Sequence, residues 1–212
     1  MTAPAAPSAS TSPSAPASTR GRRRADEDAM LDAAMECVLA FGVRRTTLSD
    51  VARRANLSRM TLYRRWPDVD SLVTDLITRE CGVVTARAAQ ATEKGDGPLC
   101  ERMIDQIVSA TQELRAHPLL RKIIDVDPEL LLPYLLRRRG ASQNTILDFL
   151  TAAIAHGQQE GTIRQTDPGL LARTVLLAVQ SFVLSAEALA EPAALADIDA
   201  QLTLLLRNYL KA

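Results

Sequence analysis

The chain has 212 residues, 25 basic and 25 acidic, with 47% apolar and 24% charged side chains, the mixture of a soluble globular protein of one or two domains. Aromatics make up only 3% while Leu and Ala abound, which favours helix over strand. No unbroken apolar run approaches the ~18 residues of a membrane span, no signal-peptide pattern opens the chain, and Cys37, Cys81 and Cys100 form no CxxC or Cys/His cluster, which argues against a disulfide framework, a metal site or a membrane and points to the cytoplasm.

Residues 1–19 are only Met, Thr, Ala, Pro and Ser. Repeated Pro and small side chains cannot offset the entropy of ordering, so a disordered tail is expected, ending in the basic run Arg20–Arg24. That arm can lie along a nucleic-acid backbone or in a minor groove, or be merely solvated. From Asp26 to Phe41 apolar residues recur at Leu31, Ala34, Met35, Val38 and Leu39, the stripe of an amphipathic helix. Acids in its first turn suit the helix dipole, and Gly42 supplies the stop.

Thr47 can cap a second short helix with Asp50 as its capping-box partner. Asn56 tolerates a left-handed turn, Ser58 can cap a third helix, and Pro67 ends it after Trp66. Two short helices across a tight turn, behind a longer support, make a helix-turn-helix. Between Val43 and Trp66 seven arginines face one acid, a net charge of +6 inside a neutral protein, as a phosphate-binding surface requires. The third helix presents Arg59, Met60, Thr61 and Tyr63 to base edges. Thr47, Arg45, Ser58, Arg64 and Arg65 are the phosphate candidates.

Residues 29–72 resemble the DNA-binding domain of TetR-type transcriptional regulators, most of all in Thr46-Thr47, Asp50-Val51-Ala52, Leu57-Ser58 and Thr61-Leu62-Tyr63. The resemblance puts base contacts on Arg59, Met60, Thr61 and Tyr63, and a phosphate-binding helix cap on Thr47. Asn56 replaces the family's usual Gly. Val69 stands where a phosphate-binding Lys is common, so Arg64 or Arg65 is expected to supply that charge.

Later breaks predict helices near 69–92, 99–116, 118–125, 128–138, 142–160, 168–189 and 193–210. The expected fold is all-α: tail 1–24, helix-turn-helix domain 25–72, and a helical-bundle domain for ligand binding and dimerisation over 73–212. The penultimate helix is apolar nearly all round and needs cover on more than one side. Leu195, Ile198, Leu202, Leu205 and Tyr209 form a seam on the last helix, which with Val179 and Val183 is expected to make a homodimer interface.

The resemblance implies a small-molecule effector inside the bundle. Met103, Ile107, Phe149 and Phe182, with Ile124, Leu131 and Ile146, are candidate walls or plain core. Arg137–Arg139 reads as a solvated helix end, or more weakly as an anion site. No P-loop, dinucleotide turn, GxSxG or HExxH occurs, and His117 and His156 suit structural roles. No enzyme, cofactor or catalytic residue is expected. The function read is a homodimeric repressor of a double-stranded DNA operator, released by a small molecule. Its alternatives are an activator, a ligand-independent DNA binder, or a small-molecule carrier with a vestigial head.

Overall fold

A computed structural model of the chain describes residues 17–93, 97–132 and 140–212. Among the described residues there are nine α-helices and no strand. They are α1 (Ala17–Phe41), α2 (Leu48–Arg54), α3 (Arg59–Arg65), α4 (Val69–Glu93), α5 (Leu99–Ala116), α6 (Pro118–Val126), α7 (Ala141–Gln159), α8 (Pro168–Leu189) and α9 (Leu195–Leu210). Short 3-10 turns at Pro128–Leu130 and Pro192–Ala194 precede the last part of the chain and α9 respectively.

Two expectations change at the ends of elements. Residues 17–24, read as tail, extend α1; Pro16 is the last proline before Pro67, so the good helix formers that follow it can join the helix. The side chains of Arg20–Arg24 lie outside the described residues, as do Arg137–Arg139. The helix expected over 128–138 begins as a 3-10 turn, and its later residues also fall outside the described part.

Two apolar cores organise the chain. One gathers Val38, Val51, Leu62 and Trp66 from α1–α3 with Leu72 and Leu76 from α4, and adds Leu119 and Ile123 from α6. The other joins Met103, Ile104, Ile154, Leu171, Leu202 and Leu206 from α5 and α7–α9. The division at 72/73 therefore falls inside α4, whose first half belongs to the head while Val84 and Ala88 are buried further along. A helix that belongs to the head core at its start and packs on α5 and α7 further along ties the position of one region to the other.

The α6 helix adds a second tie. Asp127, its C-cap, is buried and accepts a hydrogen bond from the Val43 N–H at 2.8 Å. The Arg44 guanidinium lies 3.5 Å from the same carboxylate and also pairs with Glu129. Gly42 turns there at φ 81°, and a Cβ would sit 3.1 Å from Asp127 Oδ2. Glycine is thus required by the backbone and by the close approach together.

In the body, Arg115 on α5 forks onto Asp199 of α9 at 3.0 and 2.7 Å, with both side chains buried. Gln112 adds a third bond to Asp199. Such a pair stabilises little against an apolar substitute, but removing one partner typically costs about 3–5 kcal/mol. It also sets the rotation of α9, turning Asp199, Leu202, Leu206 and Leu210 inward.

That rotation corrects the predicted seam. Leu202 is fully buried within its own chain and cannot meet a second copy, whereas Leu204 and Leu205 are exposed. The reading of α8 also changes. Its 22 residues hold an 18-residue stretch with a mean hydropathy of 1.6, long and apolar enough to cross a membrane by length and composition. Counting only unbroken apolar runs missed this, because Arg173 and scattered small polar residues interrupt it. Little more than a quarter of that stretch is buried.

Candidate nucleic-acid interface

The head is built by its caps. Thr47 Oγ1 accepts from the Asp50 N–H at 3.1 Å and donates to Asp50 Oδ2 at 2.6 Å, an arrangement whose loss typically costs ~1 kcal/mol. The Thr47 hydroxyl and the neighbouring Arg53 hold the Asp50 carboxyl below the usual carboxylate range. After Ala55, Asn56 adopts φ 54°. The Leu57 N–H then reaches the Ala52 carbonyl at 2.9 Å and the Asn56 N–H reaches Arg53 at 3.3 Å. These are the two bonds of a Schellman stop, and Leu57 packs on the head core as the accompanying apolar contact.

Helix α3 starts at Ser58, whose Oγ accepts from the Thr61 N–H and lies 2.8 Å from Thr61 Oγ1. It ends at Trp66, which is buried and donates its indole N–H to Asp75 at 2.8 Å. With Leu62 and Trp66 fixed inward, the remaining side chains of α3 face out. Met60 is 76% and Tyr63 51% exposed, an unusual display of large apolar groups on a small helix. Thr61, half-buried and tied to Ser58, stands beside them.

The seven arginines separate into two sets. Arg44 pairs with Asp127 and Glu129, Arg53 with Asp50, Arg54 with Glu36, and Arg65 with Glu27 at 2.8 Å. Glu27 also pushes the Arg65 guanidinium above its ordinary value, and Arg65 sits 5.5 Å over the Trp66 ring. Arg45, Arg59 and Arg64 are exposed and have no acidic partner among the described residues. Of the two candidates for the charge absent at Val69, Arg65 is therefore occupied in closing the head, and Arg64 is available. At the start of α4 Asp68 is a helix cap, accepting from the Ser71 N–H at 2.7 Å. Missing Glu27 as the partner of Arg65 was a matter of distance: the two lie 38 positions apart.

The outward stripe of α8 carries Leu170 and Leu177, 50% and 66% exposed, on the spacing of one helix face. Leu204 and Leu205 of α9 add a second exposed apolar pair. Of the residues expected at this face, Leu195, Ile198 and Tyr209 are half-buried, and the Arg164 guanidinium lies 4.3 Å over the Tyr209 ring. Val179 and Val183 are a correction. They line a half-open cavity, on the side of α8 away from the exposed leucines. The high apolar content of this helix hides a weak signal, since its polar residues Arg173, Thr174, Gln180 and Ser181 lie on the side of Leu177.

The cavity measures about 410 Å³ and lies among α4, α5, α7 and α8. Met103, Ile107 and Phe149 line it, as do Leu131 and Ile146. Phe182 does not. It packs half-buried on the body core instead. Cys81 is on the wall, and burial pushes its thiol up to about 11, so it is a poor nucleophile. Among the described residues no cluster of three metal-ligating side chains occurs.

Residues 30–76 match the family model described as bacterial regulatory proteins, tetR family. An uncharacterised HTH-type transcriptional regulator of Mycobacterium bovis is 35% identical over 181 residues, 85% of this chain and 92% of the relative. Among solved structures, a TetR-family regulator of Pectobacterium atrosepticum is similar with a TM-score of 0.70 at 22% identity, covering 90% of this chain and 97% of the other. The transcriptional repressor QsdR of R. erythropolis is similar with a TM-score of 0.65 at 16% identity, covering 89% and 97%. At those identities the likeness is one of fold. The match of head motif, the near full-length relative and the paired cores agree: this chain belongs to the TetR family of helix-turn-helix transcriptional regulators.

Proposed function

We propose that the protein is a homodimeric repressor that grips a two-fold-related operator and lets go when a small molecule enters the cavity. The observation that carries the reading is the outer face of α3. Arg59, Met60 and Tyr63 stand exposed there, while four neighbouring arginines are already paired. Arg59 can grip a guanine edge through its two-pronged guanidinium, and Met60 can meet a thymine methyl. Thr61 and Tyr63 complete the reading set. Arg45 and Arg64, with the caps Thr47 and Ser58, would hold phosphates and set register.

The exposed leucines of α8 and α9 support pairing with a second copy, which would place two heads on half-sites one turn apart or a multiple of it. Release follows from the shared helix. The first half of α4 is packed in the head core and Thr74–Ala89 walls the cavity, so a ligand that fits one α4 position better than another shifts the head spacing.

The test is a selection of bound sites from random oligonucleotides, followed by expression from a promoter carrying the selected site with and without the gene. Repression predicts a rise on deletion. A fall would make the protein an activator, and unchanged expression would remove the regulatory reading of that site.

A further inference from the structure

Every threonine on the α4 and α5 walls of the cavity spends its hydroxyl proton on its own helix. Thr74 donates to the Asp70 carbonyl at 2.7 Å, Thr78 to Thr74 at 2.8 Å, Thr85 to Cys81 at 2.9 Å and Thr111 to Ile107 at 2.7 Å. The Gln106 amide likewise reaches the Ala89 carbonyl at 3.4 Å. The two buried polar atoms left without a partner among the described residues, on Arg102 and Asp127, are not on this wall. No Asp, Glu, Lys, Arg or His is among the described lining residues, and the one aromatic ring, Phe149, is more than half exposed. A polar or charged body placed against the α4 and α5 walls would lose its water and gain no partner there.

The shape adds a second constraint. Wall residues run along α4 from Thr74 to Ala89 and along the antiparallel α5 from Met103 to Leu114, spans of about 22 and 16 Å at the helical rise. A cavity of about 410 Å³ between such walls is the size of a single small ligand. The opening lies between α4 and α7, where Gly82, Ala86, Thr145 and Phe149 are exposed. One lining amide, Gln180 on α8, is half-buried with no hydrogen-bond partner among the described residues.

We infer that the cavity binds the hydrocarbon tail of a single-chain amphiphile, with the Gln180 amide hydrogen-bonding its polar end. This rests on the ligand-responsive reading above and names the ligand class for it. Free acids, alcohols and esters share the tail, and head-group arms of the experiment separate them.

Calorimetry on the full chain would use straight-chain primary alcohols of increasing length, the matching carboxylates and methyl esters, and two compact comparators, adamantanol and naphthol. Affinity for the chains should rise about fourfold per added methylene until the cavity is filled, then level off. Ala110→Phe, which projects a ring into the space, should bring the plateau at a shorter chain. Thr78→Val should leave tail affinity unchanged, because its hydroxyl faces its own helix. Gln180→Leu should erase the preference among head groups while keeping the length dependence. Compact comparators binding more tightly than chains, affinity independent of length, or no binding by any probe would overturn the inference. Chains that bind with the expected length dependence but leave operator affinity unchanged would uphold it and instead sink ligand release.

Discussion

The head and the body of this protein solve opposite problems with the same helical material. The head is sealed: Trp66 and Leu62 are inside, four arginines are paired, one of them to residues that follow α6, and Arg59, Met60 and Tyr63 remain outside. The body leaves surfaces unfinished. It keeps a half-open cavity and exposes Leu170, Leu177, Leu204 and Leu205. On the proposed function, a domain that reads DNA gains from a rigid scaffold, whereas one that admits a ligand and a second copy cannot be fully packed alone.

The largest test of that contrast lies on the open face of the body. Leu177→Asp should convert the protein to monomer in sedimentation and lower operator affinity about 100-fold or more, since two linked heads bind far more tightly than one. A dimer unaffected by this change would move the interface elsewhere. The inward side of the neighbouring helix should behave differently. Leu202→Ala should cost about 2–5 kcal/mol of folding stability, read by denaturant unfolding, while Leu204→Ala should leave monomer stability within roughly 0.5 kcal/mol and weaken dimerisation instead. Equal losses at both positions would erase the distinction between core and interface.

Changes in the head should be smaller and of two kinds. Arg59→Ala should remove about 1–3 kcal/mol of discrimination at one base position of each half-site. Arg64→Ala should weaken all sequences alike and flatten the salt slope by roughly 2 for a dimer. Arg65→Ala, by contrast, should affect stability more than DNA affinity, because Glu27 already holds that guanidinium. Competition binding with single-base operator variants at several salt concentrations separates the three.

The smallest expected effect concerns acid. Arg207 holds the Glu101 carboxyl of α5 below the usual carboxylate range. A depressed folded value means that the bridge contributes above the unfolded carboxylate pKa of ~4.3 and is lost as pH falls through the lower folded value. The stability gap between the natural chain and Glu101→Gln should therefore be present at neutral pH and close in acid. A gap that widened in acid would contradict this sign.

The same contrast explains what the sequence disclosed. Head residues declare themselves locally: Thr47, Asn56, Ser58 and Pro67 each act within a few positions, and their spacing leads to the caps, the turn and the outward side chains of α3. What it hides is long-range pairing, as between Arg65 and Glu27. In α9 the difficulty is rotational. Leucines at 202, 204, 205, 206 and 210 fit two stripes, and the choice is made by Asp199, an acid that pairing to Arg115 draws inward. A rule that turns acids to solvent selects the wrong stripe. In α8 the mark is faint: Leu177, facing outward, has Arg173, Thr174, Gln180 and Ser181 at helical spacing, whereas Val179, facing the cavity, has only apolar neighbours at 175, 176, 182 and 183.

The claim on which the account turns is that α3 distinguishes one base order from another. Competition binding of the purified full chain to a selected duplex and to scrambled duplexes of the same composition, at one fixed salt concentration, measures it directly. The account predicts at least a ~1,000-fold preference for the selected order; equal affinity for both would contradict it.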